Sequence, residues 1–187
     1  RAEKRFSLAK AFGFLLTVGF LVFFLLLLMS GIENRDLLRV FLAWVVFNGV
    51  FSAGLALVGG ARIRSAAVGG AVAWLTSLNP LLAPGWFAGY VELRYTPVSI
   101  SDISTLNEIM SDEESPVRDL LARMRQVPLF KLIAVVALTN VGSFVASVLF
   151  PFVVLPYLGG PFDSVGELTA AMKDGIANSI DLVTHLL

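Results

Sequence analysis

The chain has 187 residues, of which 57% are hydrophobic and only 15% are charged. Soluble domains carry about 25% charged residues, so this composition indicates an integral membrane protein and excludes an ordinary soluble domain. Basic and acidic residues both number 14, which gives no reason to expect nucleic acid as a partner. The lack of cysteine excludes disulfides, thiolate metal sites and a cysteine nucleophile. Because the first residue is arginine rather than methionine, we expect a piece of a longer protein.

The first apolar stretch, residues 11–30, contains no charged residue. At 1.5 Å per residue, a helix of this length crosses the hydrocarbon core of about 30 Å. Basic residues precede it, and the apolar part of a signal peptide would be shorter and followed by a small-residue cleavage site. We therefore predict a membrane anchor over residues 11–30.

The second predicted span covers residues 37–59 and carries Asn48 close to its middle. Three small residues follow at intervals of four, Ser52, Ala56 and Gly60. Such a row lets a neighbouring helix approach closely, so we predict a helix-packing face here.

The next apolar segment, residues 66–93, contains two backbone interruptions, Asn79-Pro80 and Pro84-Gly85. Proline lacks an N–H and biases the residue before it away from helical geometry, so the helix must break. Each remaining arm is about 20 Å long, too short to cross a bilayer alone. Two arrangements are open: one long kinked span, or a re-entrant hairpin that turns inside the bilayer.

The polar residues 96–128 are predicted to lie on the membrane surface, with an amphipathic helix formed by Val117, Leu120, Leu121 and Met124. The last predicted span, residues 129–155, again has an asparagine near its centre, Asn140.

Gly142 and Ala146 form a second small-residue packing row within this last span. Residues 161–187 follow as a separate amphipathic helix that is too polar to insert. The fold class is thus an all-α, polytopic membrane helix bundle, residues 1–160, followed by the C-terminal helix.

The distribution of lysine and arginine favours the re-entrant hairpin. With a hairpin, 11 basic residues share one side of the membrane and three, Arg35, Arg39 and Lys173, lie on the other; a full crossing gives seven on each side. Because basic residues concentrate on the cytoplasmic side, we expect a multi-pass protein of the cytoplasmic membrane with its N-terminus in the cytoplasm.

Irregular backbone at membrane depth must be buried in protein or line a wet cavity, because a bare amide in lipid costs several kcal/mol. We therefore predict that the break at Pro80, Pro84 and Gly85 is sheltered by one intramembrane polar cluster. Its members are Asn48, Thr76, Ser77, Asn79 and Asn140, with Ser143 as a further candidate. The cluster is either interhelical hydrogen bonding or a ligand site of the kind found in broken-helix transporters.

Residue patterns of catalysis are absent: there is no H-E-x-x-H, no G-x-S-x-G and no glycine-rich phosphate loop. The single histidine, His185, lies near the end of the C-terminal helix, where a solvated role is expected. We expect no catalytic residue, no metal and no cofactor in this chain. Glu33, Asp36 and Glu92 are expected at span ends, in contact with water.

The runs LAWVVFNGVFSAGLALVGG, TSLNPLLAPGWFAGYVEL and VVALTNVGSF resemble the membrane-embedded C-terminal region of the TraB/PrgY family of archaea and bacteria. The resemblance covers residues 12–158, and the second run is its most specific part. It implies an N-terminal globular domain similar to the TIKI and ChaN-like superfamily, for which metal-dependent hydrolysis has been proposed. Only ten residues precede the first predicted span, so any hydrolase activity would lie outside this chain.

Two functions follow as hypotheses. The first is a membrane domain that anchors, and regulates, a fused or associated cytoplasmic domain. The alternative is a small transporter or channel with its polar site at the broken helix, completed by a homo-oligomer through the small-residue faces. An intramembrane hydrolase is a distant third.

Overall fold

The computed structural model describes the backbone of residues 8–77, 82–158 and 164–186, and the expected all-helical fold is confirmed over these residues. They contain no strand. A short 3₁₀ turn, Leu155–Tyr157, separates the last two of the following helices. The helices are α1 (Leu8–Met29), α2 (Asn34–Val58), α3 (Ile63–Ser77), α4 (Pro84–Leu93), α5 (Ser101–Met110), α6 (Val117–Met124), α7 (Pro128–Val153) and α8 (Val165–Leu186).

Among the described residues, two helices are long and apolar enough to cross a membrane, α2 and α7. The first predicted span is also helical, as α1, although the side chains of its first turn lie outside the described part of the chain. Residues 66–93 instead form the two shorter helices α3 and α4.

Helix α2 has one buried face that contains polar side chains and an opposite face of exposed aliphatic side chains. One face is buried and includes two polar residues: Val40, Trp44, Asn48, Ser52 and Ala56. The opposite face is made of large aliphatic side chains that are 51–64% exposed: Leu38, Leu42, Val46 and Val50. Both rows repeat every four residues, as helical geometry requires. One face of α2 therefore carries buried polar side chains while the other carries exposed aliphatic ones, the reverse of the pattern typical of a helix on the surface of a soluble protein.

Helix α7 has the same polarity. Its buried face includes Thr139, Ser143 and Ala146, whereas Ile133, Phe144 and Phe152 are exposed on other faces. Both candidate spans therefore bury small and polar residues together with some large apolar ones, and expose other large apolar side chains.

By contacts, the described chain divides into two compact units. The first consists of residues up to 47, 75–82 and 147 onward; the second consists of residues 48–74 and 83–146.

In the first unit, α8 packs on α1 through small residues. Gly175 lies against the backbone carbonyl of Leu26, and the Asn178 side chain donates a hydrogen bond of 2.7 Å to the carbonyl of Met29. Close approach of the two backbones occurs on this face of α8, and the apolar side chains of Ile176 and Ile180 remain exposed. His185 is exposed in the last turn.

In the second unit, α2 and α7 meet where Gly142 lies against the backbone of Phe51. A Cβ atom on Gly142 would come within 2.6 Å of the Phe51 carbonyl oxygen and 2.8 Å of the Ser52 Cα. The glycine thus sets the distance between the two helices.

Helices α3 and α4 run side by side in opposite directions. A Cβ atom on Gly69 would lie 2.9 Å from that of Ala88, and the N–H of Arg62 reaches the carboxylate of Glu92 at 2.9 Å. The start of α3 and the end of α4 therefore meet at the same end of the unit. The break falls between Ser77 and Pro84, and Asn79 and Pro80 lie outside the described residues.

Gly60 corrects one prediction. It was expected to continue the packing row of α2, but the helix ends at Val58 and Gly60 adopts a φ of +91° in the following turn. Left-handed backbone of this kind is a common way for a helix to end, and it favours glycine. The row therefore stops at Ala56, which is buried.

The polar segment contains one helix more than the sequence indicated. Helix α5 precedes the predicted amphipathic α6, and the pair shares a small core of Leu106, Ile109 and Val127. The Asp102 carboxylate accepts a hydrogen bond from the backbone N–H of Leu129 at 3.1 Å, which attaches α5 to the first turn of α7.

We expect Gly142→Ala to destabilise the protein by about 1–3 kcal/mol, because the added methyl group overlaps the Phe51 backbone. Thermal unfolding in a neutral detergent measures the change. Gly54→Ala is the matched control: Gly54 is on the exposed face of α2 with no atom within 4 Å of its would-be Cβ, so helix propensity alone predicts stabilisation of up to about 1 kcal/mol. Equal effects of the two substitutions would contradict the proposed packing.

Candidate functional site

The buried polar residues of α2 and α7 bond within the second unit. The Asn48 amide donates to the carbonyl of Ser143 at 3.5 Å and accepts from the Ser52 hydroxyl at 3.4 Å. The Thr139 hydroxyl donates to the carbonyl of Val135, one turn back along α7, at 2.6 Å. These residues thus satisfy their polar groups inside the protein.

Asn140 caps the helix that follows the break. The N-cap residue of α4, Ala83, has no polar side chain with which to bind the free N–H groups of the first turn. Instead, Oδ1 of Asn140 accepts a hydrogen bond of 2.8 Å from the N–H of Gly85. Gly85 can approach this closely because it has no Cβ; a Cβ there would overlap the carbonyl of Val136. An asparagine of α7 therefore supplies the cap that the sequence of α4 lacks.

The five residues predicted as one intramembrane cluster are placed as follows. Asn48 and Asn140 lie in the second unit, with the separate partners just described. Thr76 is buried and belongs to the first unit. The side chain of Ser77, and all of Asn79, lie outside the described residues. The grouping of all five therefore stays a prediction.

A buried carboxylate, missed in the sequence, lies at the other end of α4. The Glu92 side chain is 0% exposed and accepts hydrogen bonds from the N–H of Arg62 at 2.9 Å and from the Thr96 hydroxyl at 3.1 Å. The ammonium group of Lys131 lies 2.9 Å from Oε1. The hydroxyl of Ser65 is buried nearby without a partner in strict hydrogen-bond geometry. Helices α4 and α7 and the turn before α3 thus converge on one carboxylate.

This placement corrects the expectation that Glu92 contacts water. Because α3 and α4 are antiparallel, the last turn of α4 lies beside the loop at Arg62 and the first turn of α7 at Lys131, and these cover the carboxylate. The sequence contains one indication of a structural role: Glu92 is the penultimate residue of the most specific of the three family-like runs.

The surroundings of Glu92 favour its charged form. Burial by itself would raise the pKa of this carboxyl group, but hydrogen bonds from the backbone of Arg62 and the hydroxyl of Ser65, together with the ammonium of Lys131, outweigh it and lower the pKa to about 2. The Ser65 hydroxyl contributes through proximity even though its hydrogen-bond geometry is imperfect. Glu92 lies outside both candidate spans, and at neutral pH it is an ionised partner for Lys131.

Arginines and tyrosines surround this end of the unit. The guanidinium of Arg62 stacks over the ring of Tyr95, 4.9 Å from its centroid, and that of Arg64 donates to the Tyr95 hydroxyl at 3.3 Å. The guanidinium of Arg94 lies 4.9 Å above the ring of Tyr90. We refer to these five residues as the cationic rim. Groups of three or more metal-ligating side chains do not occur in the described part of the chain.

The fold and these contacts define an all-helical protein with two candidate membrane-spanning helices and a helical hairpin packed against them. The family described as "TraB family protein, C-terminal domain" matches residues 8–159 of the chain. The chain belongs to this family, which confirms the resemblance inferred from the three sequence runs.

The chain is also similar to an uncharacterized protein of the archaeon Methanocaldococcus jannaschii. The two are 27% identical over 144 residues, which cover 75% of this chain and 34% of the relative. The chain thus spans about a third of the length of that relative. No solved structure matches the chain.

Asn140→Leu is expected to cost about 1–3 kcal/mol, because it leaves the buried N–H of Gly85 without an acceptor. Asn140→Asp keeps an acceptor oxygen and is expected to preserve more of the stability than Asn140→Leu. Val141→Leu, on the exposed face of the same turn, is the control and should change the unfolding free energy by less than about 0.5 kcal/mol. Chemical unfolding in detergent micelles compares the three variants. If the Asn140→Leu and Val141→Leu proteins unfold alike, Asn140 is not the cap.

Substituting the two partners of the Glu92–Lys131 ion pair should reduce the stability of the protein by different amounts. Lys131→Met leaves an ionised carboxylate buried and is expected to cost about 3–5 kcal/mol, whereas Glu92→Gln leaves a lysine whose side chain is 29% exposed and should cost less. The double variant should be more stable than the sum of the single effects predicts, by about 1–3 kcal/mol. Glu33→Gln, at an exposed position, is the neutral control. Additive costs in this double-mutant cycle would show that the two side chains do not interact.

The Glu92–Lys131 pair should also make the stability of the folded protein depend on pH. Because the pKa of Glu92 is lower in the folded protein, its contribution to stability is fully present above the ordinary value of 4.5 and is lost as the pH falls from there toward about 2. Stability measured over this range should therefore decline less in Glu92→Gln than in the unchanged protein.

Proposed function

We propose that this chain is an integral membrane domain that anchors a TraB-family protein in the cytoplasmic membrane and holds a hydrolase-like domain at the cytoplasmic face. The observation that carries the proposal is the polarity of α2, whose asparagine and serine are fully buried while its aliphatic residues are exposed. In water this arrangement would expose large apolar area without compensation, whereas in a bilayer both faces are satisfied.

The geometry of α3 and α4 supports a re-entrant hairpin. The helices have 15 and 10 residues, which correspond to about 22 and 15 Å, against the roughly 30 Å of the hydrocarbon core. They run in opposite directions, and their outer ends meet at the contact of Arg62 with Glu92. A hairpin of this size would enter and leave the bilayer on one side.

The length of the archaeal relative supports the anchoring role. This chain corresponds to about a third of that protein, so the relative has room for a further domain of substantial size. In the proposed arrangement, α1, α2 and α7 cross the membrane, and 11 of the 14 basic residues lie on the cytoplasmic side together with the tethered domain.

A transporter function is less well supported by the contacts. One member of the predicted polar cluster, Asn140, uses its side-chain oxygen to cap α4. A hydrogen bond of this kind is structural, and interhelical polar contacts in membranes contribute about 1 kcal/mol each.

Single cysteines placed at Gly31, Asp112 and Asp174 test the topology in a chain that has no cysteine of its own. We expect a membrane-impermeant maleimide added to intact cells to label Gly31→Cys and Asp174→Cys but not Asp112→Cys, which should react only after permeabilisation. A full crossing of residues 66–93 would reverse the labelling of the last two positions.

Carbonate extraction of isolated membranes tests whether the protein is integrated in the bilayer. The protein is expected to resist extraction by alkaline carbonate. Release of the unchanged protein by carbonate would refute membrane integration and, with it, the anchoring function.

A further inference from the structure

The cationic rim brings several arginine side chains together, and the anchoring function does not require such a cluster. Arg62 and Arg64 contact the same tyrosine, Tyr95, so two guanidinium groups are held close together. Two neighbouring positive charges favour the binding of an anion between or beside them.

No protein carboxylate provides that anion in the described part of the chain. Ion pairs there are formed by Arg123 with Asp112 and by Lys131 with Glu92, and none of the rim arginines takes part. The nearby acid, Glu92, is fully buried and already paired with Lys131. The rim therefore carries a net positive charge.

The position of the rim at the helix ends indicates which kind of anion it would meet. Arg62 and Arg64 lie at the start of α3, Arg94 follows the end of α4, and Arg125 donates a hydrogen bond of 2.7 Å to the carbonyl of Val58 at the end of α2. In a bilayer, helix ends coincide with the level of the lipid headgroups, where tyrosines and arginines also concentrate. Ile63, which is 79% exposed beside these arginines, adds an apolar side chain that can reach the acyl region.

From this juxtaposition we propose that the cationic rim binds the phosphate of an anionic phospholipid headgroup on the cytoplasmic leaflet; the inference rests on the proposed membrane integration. Each guanidinium has five N–H donors in a planar array that suits phosphate oxygens. Stacking on Tyr95 and Tyr90 holds two of the guanidiniums in place, which reduces the conformational entropy lost on binding.

The test uses the purified protein in a neutral detergent, titrated separately with phosphatidylglycerol, phosphatidylcholine and inorganic phosphate, with bound lipid counted by native mass spectrometry. We expect phosphatidylglycerol to bind more tightly than phosphatidylcholine. Each basic residue near an anionic surface strengthens binding about fivefold, so the double variant Arg62→Gln/Arg64→Gln should bind phosphatidylglycerol about 25-fold more weakly. Its binding of phosphatidylcholine should not change.

Two further variants test whether the lipid preference depends on the rim arginines themselves or on the total positive charge of the protein. Arg35→Gln/Lys173→Gln removes two exposed basic residues from the side predicted to be opposite, and it should keep the lipid preference. Arg62→Lys/Arg64→Lys keeps the positive charge but lacks the planar donor array, so its affinity for phosphatidylglycerol should lie between those of the unchanged protein and the glutamine variant. This partial loss remains measurable if the glutamine variant fails to fold.

The proposal is overturned if the unchanged protein binds both lipids equally, if the control variant loses as much affinity as the rim variant, or if the lysine variant loses as much as the glutamine variant. Competition by inorganic phosphate at concentrations similar to those of the lipid would show a free-phosphate site instead. A protein that resists carbonate but shows no lipid preference would refute this inference alone, whereas release by carbonate would refute the proposed function as well.

Discussion

The structure depends on one constraint: an interrupted helix must find partners for its terminal backbone groups among its neighbours. Helix α4 has alanine at its N-cap and offers no side chain of its own. Asn140 of α7 binds the N–H of Gly85 at one end, and the carboxylate of Glu92 binds the N–H that precedes α3 at the other. In an apolar surrounding each unpartnered group would cost several kcal/mol, so these contacts decide whether the hairpin can exist there.

Small residues allow those contacts to form. Gly85 lies directly against the backbone of α7, Gly69 against Ala88, and Gly142 against the backbone of α2. Close approach of the backbones provides many packing contacts at these positions, and in the proposed membrane setting it would replace the hydrophobic force that packs helices in water. The glycines and the polar partners therefore act together, since Asn140 reaches the N–H of Gly85 only at this short interhelical distance.

The helical class, both candidate spans and the interruption could be predicted because they follow from local features: apolar length, small-residue spacing and proline. The importance of Asn48 and Asn140 could also be predicted, since an amide in an apolar span needs a partner. The identity of each partner could not, because it depends on the relative rotation of helices far apart in the chain. Glu92 shows this most clearly. Its position near the end of an apolar run suggested water, and only the antiparallel packing of α3 and α4 brings Lys131 to it.

The order in which the chain is synthesised gives the cap of α4 a further consequence. Gly85 leaves the ribosome 55 residues before the asparagine that binds it, and Glu92 likewise precedes its lysine. The start of α4 has no cap until α7 has been made, so we expect the first turn of α4 to stay hydrated and to pack only after α7 is in place. Folding of this part of the chain would then be completed by α7.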